Sequence, residues 1–517
     1  MIFNVIFMNS TNRIIINTIA QYTKTFINII LSLYSSRIVL MILGESDFGI
    51  YSLIAGIVAL LSFLTNSMVM STQRFLSIGQ GKGEVNELKT IFNNSLILHL
   101  FIGLLIVCIF ACMTPFLFNG FLNIPLERVS ASRILYFTII GVLFISFQTS
   151  PYKALLVSHE NIVYTSIIDV IDGALKLFLV LLLPYISVDS LIIYGFMILG
   201  IQIFNFASFS IYGYCHYKEC VFINFTKLNF EYLKKLAGFT GWVTFSSFCI
   251  IGRNQGFAIV INKLLATTAN AAYGIANQLS GYLNFLSSSL SNSVAPQLMQ
   301  AVGKNDMDRA FFLTKFQSKM ACLLFGLFAI PLMFEMDSIL TIWLKVYPEY
   351  TSLFAIMIVS SILIDQPTYG ITTLFQAIGK LAFFSIMFYM PKFLILPISY
   401  YILKSSGSLI YVAFTYFSIE VVCMFLRLYC IKRVLPYFNI ANYIIEVFVK
   451  LLVPLFTSIL VCFLITINTD HNLRFILTFM LSGLVYILTS YFYALSDLER
   501  NKILVYVNRF INKKNKV

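Results

Sequence analysis

The chain has 517 residues, 59% of them hydrophobic and 11% charged, with a formal net charge of +13. Soluble domains are about half apolar and about a quarter charged, so this composition reads as a polytopic membrane protein with no hydrophilic stretch long enough for a separate catalytic domain. The basic balance does not point to nucleic acid, because the cations fall in short loops and form no large basic face.

The opening "MIFNVIFMNSTNR" has no basic region ahead of its short apolar run, so it does not read as a cleavable signal peptide. Met8 is an alternative start to Met1, and the first span reads as an uncleaved insertion signal. About 20 apolar residues cross a bilayer. That ruler predicts an all-α chain of about 14 transmembrane helices, near 14–42, 47–72, 90–118, 132–156, 161–184, 190–214, 238–262, 269–296, 310–334, 351–377, 381–403, 408–430, 443–467 and 473–495. The longest connections predicted are 216–236 and 335–350. Loops on one side of the membrane hold about 20 Lys and Arg, among them Lys82, Lys234, Lys235, Lys304 and Arg433, against about 6 on the other. The positive-inside rule then places both termini in the cytoplasm. The tail 499–517 alternates apolar and basic residues and is expected to lie as a helix on the anionic inner leaflet. The nine cysteines show no metal-ligand spacing and are expected to pack as small hydrophobes.

The chain repeats itself. "DFGIYSLIAGIVALLSFLTNSMVMSTQRFLSIGQGKG" (47–83) parallels "AAYGIANQLSGYLNFLSSSLSNSVAPQLMQAVGKND" (271–306), each opening on aromatic-Gly-Ile and closing on a Gly-Lys turn. Gly49 and Gly274 mark equivalent points of the second and eighth spans, so the two copies run the same way across the membrane. Parallel repeats of this kind suit two-lobed transporters. The predicted organisation is an N-terminal lobe at 1–221, a C-terminal lobe at 222–436, two extra helices at 437–498 and the basic tail from 499.

Charges within a bilayer are costly and usually face the protein interior or water. The spans hold Lys24 and Arg37 in the first, Lys153 in the fourth, and Asp169, Asp172 and Lys176 in the fifth. Arg253 lies in the seventh, Asp365 in the tenth, Lys392 in the eleventh, and Glu420 and Arg427 in the twelfth. Arg253 is too deep to reach either surface easily, and the small residues Ser246, Cys249 and Gly256 on its helix face suggest a water-accessible wall. Asp169, Asp172 and Lys176 share one face, and Asp172 and Lys176 are spaced to pair. Asp365 precedes Pro367, whose missing N–H frees a backbone carbonyl for a kink, a hinge or a cation. Lys24, Arg37, Lys176 and Arg253 are the candidate anchors for an anionic substrate, with phosphate or pyrophosphate as the chemical class. Asp169, Asp172 and Asp365 are candidates for coupling to a proton or sodium gradient. No cofactor and no metal is expected.

Residues 12–76, with Tyr-x-x-Arg-x-x-Leu near the end of span one, then Leu-Gly, Asp-Phe-Gly-Ile-Tyr and Thr-Gln-Arg-Phe-Leu, resemble the amino-terminal signature of a polysaccharide-transport family. These are the Wzx-type repeat-unit flippases of the multidrug/oligosaccharidyl-lipid/polysaccharide exporter superfamily. "FLNIPLERVSASRILY" (121–136), "SPYKALLVSHENIVYTSIID" (150–169), "FTGWVTFSSF" (239–248), "NQGFAIVINKLLATTANAAYGIANQL" (254–279), "VAPQLMQAVGKND" (294–306) and "WLKVYPEYTSLF" (343–354) extend the likeness to about residue 380, beyond which it fades. The resemblance implies two six-helix lobes plus two C-terminal helices. It also implies movement of undecaprenyl-pyrophosphate-linked oligosaccharide repeat units across a bacterial inner membrane, for O-antigen or capsule assembly. Membrane lipids, and a polysaccharide polymerase and chain-length proteins, are the partners it implies. Many relatives carry an uncharged residue where this chain has Arg253, which leaves a glycan-tuning role and a structural role both open.

Two other readings stand beside the flippase. A drug exporter of the same fold would carry organic cations, which a cationic cleft disfavours. A membrane glycan polymerase or ligase needs an acid or base on a sizeable outer loop, and here the outer loops are short, with His471 the only histidine expected there. The chain is therefore read as a transporter and not as an enzyme.

Overall fold

The computed structural model describes residues 10–500, apart from 60, 119–123, 188, 266, 470–473 and 498. His471, the alternative starts Met1 and Met8, and the tail from 501 onward lie outside the described residues.

Among the described residues the chain is all-α. Helix α1 (Ser10–Ala59) runs through the end of the first predicted span and into the second, with a kink at Gly44. Gly44 sits at φ 73°, a left-handed conformation open to glycine without strain. The predicted span 47–72 is therefore not one helix: its first part ends α1, and α2 (Ser62–Lys82) begins afresh. Then follow α3 (Val85–Phe116), α4 (Val129–Ser158), α5 (Ile162–Leu182), α6 (Ser190–His216), α7 (Phe230–Leu265), α8 (Thr267–Gly303) and α9 (Met307–Phe334). The connection 335–350 is not a plain loop, because Met336–Leu344 forms the short helix α10, which buries Met336 and Leu340.

Two later spans are broken at prolines. Helices α11 (Thr351–Asp365) and α12 (Tyr369–Ile378) are separated by a tight turn at Gln366–Thr368 that contains Pro367. Helices α13 (Leu381–Tyr389) and α14 (Ile395–Ser406) are separated by a similar turn at Met390–Leu394 that contains Pro391. Proline cannot donate into the helical ladder, so each break follows from local sequence. The remaining helices are α15 (Leu409–Val434), α16 (Ile440–Tyr443), α17 (Lys450–Asn468) and α18 (Arg474–Thr489).

Among the described residues, ten helical stretches are long and apolar enough to cross a membrane. The four predicted spans outside that set, around α2, α5, α7 and α8, are helical as well but more polar. Their polarity comes from Ser/Asn-rich runs or from mid-helix charges such as Asp169, Asp172 and Lys176.

The chain divides into two compact units. Unit 1 holds residues 1–248 and 293–307, and unit 2 holds 249–292 and 308–517. The dividing points fall inside α7, inside α8 and at the start of α9. Unit 1 has a core of Ile54, Leu135, Tyr136, Phe147 and Leu191 and a second of Leu76, Phe92, Tyr152 and Leu155. In unit 2, Phe257, Tyr273, Phe325, Phe354 and Tyr416 form the centre of the core. Within unit 1 the ends of α2 and α8 cross in backbone contact. A Cβ at Gly81 would strike the carbonyl oxygen of Gln300, and one at Gly303 would strike that of Ile78. Gln300 also donates to Gln80 Oε1 (3.2 Å) and to the Ser158 carbonyl (3.0 Å).

Candidate functional site

Unit 2 encloses a cavity of about 390 Å³ lined by α7, α8, α11, α12, α15 and the turn after α13. One helix face of α8 contributes Tyr273, Asn277, Ser280 and Asn284, and the segments around Pro367 contribute Gln366, Tyr369, Thr372 and Gln376. One wall is a chain of charges. Arg253 on α7 donates from Nη1 to Glu420 Oε1 on α15 at 2.7 Å, while its Nε donates to Asn254 Oδ1 at 3.1 Å. The other oxygen of Glu420 accepts from Lys392 Nζ at 2.7 Å. Lys392 lies 3.6 Å from Asp365 Oδ1, which also accepts from Arg427 Nη2 at 2.9 Å. Arg427 Nη1 donates to Thr368 Oγ1 (2.8 Å) and to the Asp365 carbonyl (3.2 Å).

Local sequence explains how these groups meet. Tyr416, Glu420 and Arg427 share one face of α15, at steps of four and seven residues. Asp365 and Lys392 sit at the two proline breaks, where the chain leaves the helical ladder. The backbone carbonyl of Asp365 accepts from the Arg427 guanidinium at 3.2 Å. The centre of the Phe388 ring is 3.9 Å from the Arg427 guanidinium carbon and 4.5 Å from Lys392 Nζ. The Arg253 guanidinium stands 5.3 Å from the Tyr416 ring. The wall carries three cations (Arg253, Lys392, Arg427) and two carboxylates (Asp365, Glu420), an excess of one positive charge. Arg427, Lys392 and Glu420 are buried, whereas Arg253 keeps 15% of its side chain exposed on the cavity.

The small residues beside Arg253 do not form the water-accessible wall expected of them. Gly252 and Gly256 pack against Phe393 and Leu396, and a Cβ on Gly256 would lie 2.7 Å from Leu396 Cδ1. Cys249 is buried, and buried Ser246 donates to the Trp242 carbonyl. The stripe is a helix-packing surface, and α7 gives the cavity Arg253 and Asn254 while the rest of the polar lining comes from α8, α11, α12, α15 and the two proline turns.

Unit 1 carries a second cavity of about 430 Å³ in which Asn28, Ser32, Ser35, Tyr51, Asp172, Lys176 and Tyr194 are lining residues. Asp172 pairs with Lys176 at 2.6 Å, as the spacing predicts, and also accepts from Asn205 Nδ2 at 2.6 Å. Lys24 and Asp169 meet at 2.9 Å, and Lys153 joins them at 3.2 Å. Asp169 is thus shared by two lysines. Arg37 is exposed on α1. Of the residues singled out from sequence, Lys24 and Asp169 come together in unit 1, Asp172 and Lys176 line its cavity, and Arg253 and Asp365 lie on one wall in unit 2. Glu420, Lys392 and Arg427 were visible as intramembrane charges but were not assigned to the site. The signal that could have found Glu420 was arithmetic: Arg253 needs a buried partner, and the later spans hold three carboxylates, Asp365, Glu420 and Glu446.

No protein-family profile matches the sequence, and no curated protein matches it. Solved structures do match. The fold is that of transporters of the multidrug-exporter (MATE) type within the MOP superfamily.

A MATE structure in the bent conformation aligns with a TM-score of 0.70 at 12% identity, covering 83% of this chain and 97% of that one. An outward-facing multidrug resistance MATE family transporter of the MOP superfamily aligns at 0.69 and 12% identity, covering 84% and 98%. A MOP superfamily transporter from Pyrococcus furiosus, described as having a binding pocket of reverse polarity that suggests a different function, aligns at 0.66 and 13%, covering 83% and 97%.

Proposed function

We propose that this protein is a flippase that moves polyprenyl-pyrophosphate-linked oligosaccharide repeat units across a bacterial inner membrane by alternating access, both termini being cytoplasmic. The observation that carries this reading is the cationic excess on the wall of the unit 2 cavity, set among amide and hydroxyl side chains. An arginine beside amides and tyrosines suits a diphosphate joined to sugar hydroxyls. An organic cation would meet a wall that carries one positive charge in excess. The wider likeness of the sequence to Wzx-type flippases points the same way. Lys24, Arg37 and Lys176 are proposed as further contacts for the anionic headgroup, with Asp169, Asp172 and Asp365 in ion coupling. A polymerase and chain-length proteins are proposed partners in assembly at the cell surface.

A second reading, an exporter of small molecules or drugs, is supported by the likeness to multidrug MATE structures. Replacing Arg253 with alanine separates the two. Glu420 keeps Lys392 as its counter-ion, so the variant leaves no unpaired buried carboxylate. Surface polysaccharide should fall by about tenfold or more at unchanged membrane abundance. Unchanged surface polysaccharide, together with drug resistance conferred on a sensitive host, would establish the exporter instead.

A further inference from the structure

We propose that Glu420 is an internal stand-in for the anionic substrate: it occupies Arg253 in the empty site and yields it when a diphosphate arrives. This rests on the reading of the unit 2 cavity given above.

The geometry separates Glu420 from the other carboxylate of the wall. Its two oxygens hold two different cations, Arg253 and Lys392, each at 2.7 Å. Losing Arg253 therefore leaves Glu420 paired with buried Lys392 and avoids the cost of an uncompensated buried charge. Asp365 has no such freedom, because it is held by Arg427, which is 2% exposed and also fixed to Thr368 and to the Asp365 carbonyl. Arg253 is the member of the chain that can change partners. Among the described residues Glu420 is its one carboxylate, and Arg253 itself faces the cavity from α7.

The exchange has a use in transport. A site with a bare arginine would hold a diphosphate tightly at both membrane faces and release it slowly. A tethered carboxylate competing for the same guanidinium weakens the bound state by a fixed amount, and no proton need move because Lys392 balances Glu420 throughout. Specificity also gains, since only an anion able to displace a bridging carboxylate enters productively.

The test is calorimetric titration of the purified full-length protein in lipid nanodiscs with inorganic pyrophosphate as the probe. Arg253→Gln should weaken pyrophosphate binding by about tenfold, and Glu420→Gln should tighten it by about fivefold or more. Glu420→Asp keeps a charge against Lys392 but is one methylene shorter, and should shift affinity in the same direction by less. Glu420→Gln should at the same time lower surface polysaccharide in cells, because release slows. A merely structural Glu420 would give weaker binding in both variants. If Arg253→Gln weakens binding and neither Glu420 variant tightens it, the stand-in role is overturned while the site stands. If pyrophosphate binds wild type and Arg253→Gln alike, the reading of the site fails and takes the stand-in with it.

Discussion

Arg427 shows how a single side chain can organise a membrane interior. Its guanidinium is 2% exposed and touches a carboxylate, a hydroxyl, a backbone carbonyl and an aromatic face. Removing one partner of a buried pair costs about 3–5 kcal/mol, because the other charge stays buried alone. Arg427→Met leaves Asp365 with Lys392 at 3.6 Å, so unfolding in detergent should shift by about 3 kcal/mol or more. Arg427→Lys should recover only part of that, since an ammonium cannot span the same planar set of acceptors. A second residue-scale expectation concerns Asp189, which caps α6 through the Leu191 and Ile192 amides and pairs with Arg128 at 2.5 Å. Burial pushes its carboxyl up, but the Arg128 guanidinium and the two amides outweigh that and hold it below the usual carboxylate range. A depressed carboxylate stabilises fully above its unfolded pKa of about 3.9 and loses that contribution as pH falls through the lower folded value. The melting temperature should therefore drop below about pH 4, and Asp189→Asn should flatten that acid limb while lowering the neutral plateau.

At the scale of helices, the repeat and the prolines do different work. The repeat brings the Gly-Lys ends of α2 and α8 together, and the contacts follow its symmetry: Gly81 meets Gln300, and Gly303 meets Ile78, each three residues before the other glycine. A glycine inside a helix costs about 1 kcal/mol relative to alanine, so Gly→Ala is stabilising wherever space allows. At Gly274 nothing lies within 4 Å of an added Cβ, and Gly274→Ala should raise the melting temperature slightly. At Gly81 and Gly303 the obstacle is backbone, which cannot swing aside. There the steric cost of about 1–3 kcal/mol exceeds the propensity gain, and either alanine variant should melt lower. Opposite signs at Gly274 and Gly303 are the observation to look for. The sequence pattern singled out Gly49 and Gly274, yet within the repeat the glycines that meet backbone are the less conspicuous pair at its ends. The proline breaks act otherwise. Pro367 and Pro391 each interrupt a span beside a charged residue and so release Asp365 and Lys392 from ordinary helix faces.

Over the whole chain, the C-terminal helices that fall outside the repeat are fastened to α9 by buried charges. Beyond one end of α9, Glu335 is fully buried and accepts from Arg474 Nε (2.9 Å) and Thr478 Oγ1 (2.9 Å) of α18. Farther back along α9, Lys319 pairs with Glu499 at 2.5 Å, both buried. Exchanging Lys319 and Glu499 in a double variant should restore more of the melting temperature than either single change leaves, and additive losses would contradict a direct pair. The sequence by itself determined the membrane class, the helical character of the spans, the repeat and the identity of the intramembrane charges. These rest on local quantities: apolar run length, spacing along one helix and the cost of an isolated charge in hydrocarbon. Asp172 with Lys176 was legible for the same reason, being a pair four residues apart on one helix. Only the tertiary structure decided that Lys24 and Lys153 both meet Asp169, that Arg253 meets Glu420, and that Glu420 is shared with Lys392. Those partners lie up to 167 residues apart, as Arg253 and Glu420 do. Charge census says that a buried arginine must find a carboxylate, but which one it finds depends on how helices far apart in sequence pack, and no local period encodes that.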